Sequence, residues 1–104
     1  MKTGIELIAE ERNRQILSKG WSPDHDKEHI NGELVKAAVC YATPQSLREP
    51  ATEAIDMYDE RELDYPVLWP FEAKYWKPSP NDRVKELVKA GALIVAEIDR
   101  LQTL

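Results

Sequence analysis

Apolar residues recur at helical spacing in four stretches of the chain and lose that spacing between them. In residues 3–19, Ile5, Ile8, Arg12, Gln15 and Lys19 fall on one stripe with Ile16 beside it, which predicts a first helix. Thr3 and Glu6 have the spacing of a capping box at its start. The stripe begins apolar and turns polar. That directs Arg12 and Gln15 inward, unless Arg12 lies along its stem to reach water. Gly20 predicts the helix end. Residues 20–32 read as a connector, in which Ser22-Pro23 has the pattern of a short helical turn. Asn31-Gly32 then opens a second helix that runs to about Ala42. Leu34, Val35, Ala38 and Tyr41 give it an apolar side, and Ala37, Ala38 and Ala42 permit close helix approach.

Pro44 and Pro50 bracket a loop at 43–50. Residues 51–63 predict a third, weakly amphipathic helix through Ile55, Met57 and Tyr58. Residues 64–80 carry four prolines and five aromatics. Proline lacks a backbone donor and fixes φ, so this stretch predicts an ordered loop pinned by its own rings rather than a helix or central strand. The last helix is the most strongly patterned. Ser79 is its expected cap, Pro80 its first position, and Asp82 completes the start. Val84, Leu87, Val88, Gly91, Ile94, Val95, Ile98 and Leu101 form a continuous apolar stripe. Glycine costs about 1 kcal/mol inside a helix, so Gly91 points to close contact with another helix. No segment shows strand alternation. The expected fold is all-α: a bundle of three to four helices with a Pro/aromatic-rich loop, in a single domain spanning 1–104.

A chain of 104 residues holds one modest core, and helical domains this short often complete theirs by forming a homo-oligomer. The net charge of −5 argues against a duplex nucleic-acid partner, whose binding proteins are basic. A small anionic ligand needs only a local cationic pocket. The lone Cys40 excludes an intrachain disulfide framework and fits a reducing cytoplasm. Charges at Glu6, Glu10 and Glu11 interrupt any apolar signal core. No apolar run approaches the roughly 18–20 residues of a membrane span, so a cytoplasmic location and no membrane partner are expected.

The pentad Glu-Leu-Val-Lys-Ala occurs twice, at 33–37 and 86–90. Each copy places a lysine three residues after a glutamate, on one helix face: Glu33 with Lys36, and Glu86 with Lys89. One reading is an exposed ion pair on each helix, worth a few tenths of a kcal/mol. The other is that two antiparallel helices bring Lys36 and Lys89 to one phosphate-sized cleft, oriented by the glutamates. Trp21, Trp69 and Trp76 lie in loops, the last two with Tyr65, Phe71 and Tyr75. They either close the end of the core or form a stacking platform for a base, with Arg12 or Lys77 near the phosphates. His25 and His29 stand at i and i+4 with Asp26 beside them. That spacing suits a transition metal on a helix, but it lacks a third ligand and reads equally as a polar turn; no metal or cofactor is assigned. The chain has no phosphate-binding glycine loop, nucleophile elbow or Cys/His zinc pattern.

Two stretches, "ELIAEERNRQILSKGWSPDHDKEHINGELVKAAVCYA" and "WPFEAKYWKPSPNDRVKELVKAGALIVAEIDRLQ", resemble a group of short phage and prophage proteins. Together they cover roughly two-thirds of the chain and leave out residues 43–68. The opening "EERNRQ…KGW…H" also resembles, more loosely, the start of MazG-like all-α nucleotide pyrophosphohydrolases, and the final helix looks like their last metal-binding helix. In that superfamily an E-x-x-E motif and an E-x-x-D motif hold magnesium against the substrate phosphates. Glu33 and Glu86 match the first acid of each motif, while Lys36 and Lys89 stand where the second acids would be. Magnesium requires hard oxygen ligands, and an ammonium repels it. A lysine pairs with phosphate directly instead. The resemblance therefore implies a pocket that binds a nucleotide-derived small molecule without cleaving it, and no catalytic residues. By analogy with phage proteins that sequester immune signalling nucleotides, such as cyclic ADP-ribose isomers or cyclic oligonucleotides, it implies an anti-defence role. The residues expected to bind ligand are Arg12, Trp21, Glu33, Lys36, Trp69, Trp76, Lys77, Glu86 and Lys89. Two alternatives stand beside this. One is an active magnesium-dependent pyrophosphohydrolase recruiting Glu33, Glu86, Glu97 and Asp26 or His29. The other is a protein-binding inhibitor of a host enzyme.

Overall fold

The computed structural model describes residues 1–20 and 28–103. Among these residues the main elements are three α-helices and one hairpin, with short 3-10 turns at Gln45–Leu47 and Ala73–Tyr75. They follow the order α1 (Gly4–Lys19), α2 (Glu33–Ala42), β1 (Pro50–Ala54), β2 (Glu60–Pro66) and α3 (Arg83–Gln102). The fold is mixed α/β, which corrects the all-α expectation. Residues 51–63, read as a helix, instead form most of a two-stranded antiparallel sheet. Period-two burial explains it: Leu63 and Tyr65 are half-buried while Glu62 and Asp64 face water. The turn at 55–59 is closed by Asp56, whose carboxylate accepts the N–H groups of Tyr58 at 2.8 Å and Asp59 at 3.0 Å. Thr52 pairs with Glu62, Glu53 with Arg61 and Ala54 with Glu60. The register shifts between Thr52 and the Pro50–Pro66 pair, so both prolines lie at the strand margins, where a missing donor costs least.

Local signals set the helix ends. Thr3 and Glu6 form the expected capping box, and Gly20 closes α1 at φ 70°, a conformation that side chains disfavour. Gly32 at φ 78° precedes α2. The cap of α3 is Asp82 rather than Ser79. Its side chain accepts from the Lys85 N–H, while residues 79–82 form a turn ahead of the helix. Ser79 serves elsewhere, donating its backbone N–H to Glu86.

The core lies between α2 and α3. Leu34, Ala37, Ala38 and Tyr41 meet Ala90, Leu93 and Ala96, with Trp69, Phe71 and Trp76 packed against them. The alanines let the two backbones approach closely. Helix α1 packs on another flank of α3. There a side chain at Gly91 would lie 2.5 Å from the tip of Ile8, so the glycine supplies the close approach its position implied. Of the stretch 64–80 expected as an ordered loop, residues 64–66 belong to β2; segment 67–82 is a loop with a short 3-10 turn at Ala73–Tyr75, anchored by Trp69 Nε1 donating to the Glu72 carbonyl at 3.0 Å. No helix among the described residues is long and apolar enough to cross a membrane.

Candidate functional site

A cleft of about 440 Å³ lies where the three helices and segment 67–82 converge. Glu11, Arg14 and Gln15 line it from α1, Leu34, Ala37 and Tyr41 from α2, and Lys89 and Leu93 from α3. His29, Trp69, Phe71, Tyr75 and Lys77 complete the wall. This volume falls in the range of small-molecule sites, and apolar walls with a few polar groups are their usual make-up.

The aromatic wall is a single interlocked cluster. Trp76 stacks on Tyr41 at 4.8 Å between ring centroids. Trp69 meets Tyr41, Phe71 and Trp76 edge-on at 5.7, 5.6 and 5.0 Å. Phe71 in turn meets His29 at 5.3 Å. Such pairs contribute about 0.5–1.5 kcal/mol each beyond their buried area, so the rings support one another without a ligand. Tyr41 joins it to the backbone, its hydroxyl accepting the Lys77 N–H at 3.2 Å. Burial raises the Tyr41 pKa, so the phenol stays protonated and neutral at physiological pH.

Charged side chains share the lining with these rings. Lys89 donates to the Lys77 carbonyl at 2.8 Å and stands 5.2 Å over the Tyr41 ring. Arg14 grips Glu11 with two hydrogen bonds of 2.7 Å. Burial works to raise the Glu11 pKa, but hydrogen bonds from Arg14 and Gln15, with the charges of Arg14 and Lys89, outweigh it. The carboxyl is held below its ordinary value and is ionised. Gln15, only 2% exposed, donates to Glu11 at 3.3 Å, while its Oε1 has no hydrogen-bond partner. A buried acceptor left unsatisfied costs about 1–3 kcal/mol, and this one belongs to a residue of the cleft wall.

The two pentads have separate fates. Glu86 is 1% exposed and does not line the cleft. Arg48 reaches it at 3.0 Å, Arg83 at 3.2 Å and the Ser79 N–H at 3.1 Å. Burial pushes its pKa up, but these three partners more than compensate and hold it low. The same arginines donate to the terminal carbonyls of α2: Arg48 to Cys40 at 2.9 Å, and Arg83 to Tyr41 at 2.8 Å and to Ala42. Helix α2 has no basic residue in its own last turn, and these carbonyls would otherwise lack partners. Arg48, Glu86 and Arg83 thus make a clamp from the end of α2 to the start of α3.

Glu33 sits at the start of α2, accepting the Asn31 N–H and facing His29 at 3.4 Å. Neither Glu/Lys pair of the pentads forms, because each glutamate is engaged elsewhere. Lys36 is exposed and outside the cleft, so it does not share a site with Lys89. Arg12 is buried, as its stripe implied, with Nε 3.6 Å from Asp99 in the α1–α3 contact and not in the cleft. Of the expected binding residues, Trp69, Lys77 and Lys89 line the cleft and Trp76 backs it. Trp21 and His25 lie outside the described residues. Glu11, Arg14, Phe71 and Tyr75 were not among the binding residues expected. The i, i+3, i+4 spacing of Glu11, Arg14 and Gln15 was the available signal. Among the described residues no three His, Cys, Asp or Glu side chains are grouped to hold a metal ion. Comparison with protein-family models, curated proteins and solved structures finds no match to the chain.

Proposed function

We propose that this cleft binds a nucleotide-derived small molecule and holds it without chemical conversion, in the manner of a phage factor that sequesters a signalling nucleotide in the bacterial cytoplasm. The observation that carries the reading is the convergence of cationic Arg14, Lys77 and Lys89 with the rings of Tyr41, Trp69, Phe71 and Tyr75. Rings accept the face of a base, and the lysines and arginine pair with phosphate. Gln15 supports the site through its 3.3 Å hydrogen bond to Glu11 in the cleft wall. The magnesium-dependent alternative loses support at Glu86. Both of its carboxylate oxygens are engaged by arginines and a backbone donor, whereas a metal ligand needs free lone pairs.

Calorimetric titration with AMP, ADP-ribose and a cyclic dinucleotide tests the proposal. At least one is expected to bind. Lys89→Ala and Trp69→Ala should each weaken that binding tenfold or more, which is about 1.4 kcal/mol. Lys36→Glu, outside the cleft, should leave it unchanged. If none of the three binds, or if both cleft variants bind like the wild type, the reading fails. Release of pyrophosphate from nucleoside triphosphates in magnesium would favour the hydrolytic alternative.

A further inference from the structure

The side chains that pack the described core are small. Its buried apolar members are Leu34, Leu93, Tyr41, Cys40 and six alanines. Many of the larger aliphatic residues lie outside it. On α3, Leu87, Ile94, Ile98 and Leu101 are 47%, 48%, 48% and 53% exposed, and Val84 is 60% exposed. These residues fall on the three-four spacing of the seam between two paired helices, while the intervening position, Gly91, is covered by Ile8 of α1.

Position within the fold isolates this seam from the cleft. Helix α3 is central: α2 meets it through Ala90, Leu93 and Ala96, and α1 through Gly91 and Asp99. At 3.6 residues per turn, the seam lies about a third of a turn round α3 from Leu93 and nearly half a turn from Lys89 in the cleft wall. The helices therefore form one layer, with the cleft on one side and the apolar seam on the other. A helix layer with an apolar face buries it against a second layer, and this chain supplies none among its described residues. The radius of gyration is 15.1 Å, against about 13 Å for a compact chain of this length.

We propose that the second layer is a second copy of the chain, with α3 packing on α3 of its partner across a two-fold axis. Several features on the same face favour self-association over another occupant. The seam is uncharged, and its three-four repeat runs through most of a 20-residue helix. It is therefore complementary to its own copy, and two-fold pairs are the commonest closed assembly. Five roughly half-exposed aliphatic side chains also present on the order of several hundred Å² of apolar surface, more than scattered surface residues account for. Both clefts remain open on the outer sides.

Light scattering coupled to gel filtration tests this on the full chain. The wild type should run at twice the 12.0 kDa chain mass. Ile94→Glu and Ile94→Lys should each run as single chains with helical circular dichroism, and mixing them should restore the double mass, because position 94 lies near the middle of the seam. A wild type of single-chain mass at every concentration overturns the proposal and leaves the face to a different partner. So does an assembly that survives both substitutions. Should a variant fail to fold, hydrogen exchange on the wild type decides. Protection of residues 84–101 should rise with protein concentration, and protection independent of concentration overturns the proposal.

Discussion

Glu33 and Glu86 begin identical pentads yet do different work, since one trims a helix start and the other is the buried centre of a clamp. The pentad itself carries no trace of this, because the partners of Glu86 come from Arg48, on a distant segment, and from Arg83 and Ser79 ahead of it. Removing the carboxylate strands Arg48, whose side chain is 8% exposed, and breaking a buried pair in this way costs about 3–5 kcal/mol. Glu86→Ala should therefore lose stability of that order in urea denaturation at neutral pH. The pH dependence follows from the sign of the shift. A carboxyl whose folded pKa is depressed stabilises the fold above its unfolded value, near 4.3, and that contribution disappears as pH falls through the folded value. Wild-type stability should drop with acidification below about pH 4.3, and Glu86→Gln should flatten that decline. Gln15→Met removes the orphaned acceptor but also the hydrogen bond to Glu11, so the two effects should offset to within about 1 kcal/mol in the unliganded protein, while nucleotide binding weakens in the same titrations. Equal binding by both proteins would remove Gln15 from the site.

At the scale of elements, what was legible was local. Thr3, Gly20 and Gly32 announce helix ends because their capping geometry depends on residues within a turn of them. The hairpin escaped because Ile55, Met57 and Tyr58, which suggested a helix, are its exposed turn residues, while the alternation of Leu63 and Tyr65 falls across the boundary assigned to a loop. Asp56→Ala should release the turn and speed amide exchange in 50–66, leaving exchange in α2 and α3 unchanged. Gly91 tests the α1–α3 contact. Gly91→Val must displace Ile8 and should destabilise by about 1–3 kcal/mol, measured by thermal melting. Gly91→Ala brings its Cβ within 3 Å of both Cδ1 and Cγ1 of Ile8, so it should also destabilise, but by less than valine because alanine has the better helix propensity.

At the scale of the molecule, the cleft draws on four separate parts of the chain, and this is why it was only partly legible. The aromatic segment signalled itself by composition, and Lys89 by its place in the pentad. Glu11 and Arg14 looked like ordinary surface charges, because only the docking of α1 turns them towards the rings. The same geometry provides a reporter. Trp69 and Trp76 sit in and behind the cleft wall, so nucleotide binding should quench their fluorescence, and Trp69→Phe should remove most of the change. Binding that depends on Arg14, Lys77 and Lys89 should weaken as salt screens them. A titration unaffected by salt would point to ring stacking alone.

The clamp at the end of α2 also dictates an order of assembly. Helix α2 has only ten residues, too few to persist alone in water, and the groups that close its last turn are not complete until Arg83 and Glu86 arrive. A chain emerging from the ribosome therefore exposes its aromatic segment before it can fasten α2. Fragments ending before residue 83 should show little helix from α2 and no ring cluster by near-ultraviolet circular dichroism. The cleft is made last, by the same stretch of chain that contributes Lys89 to it.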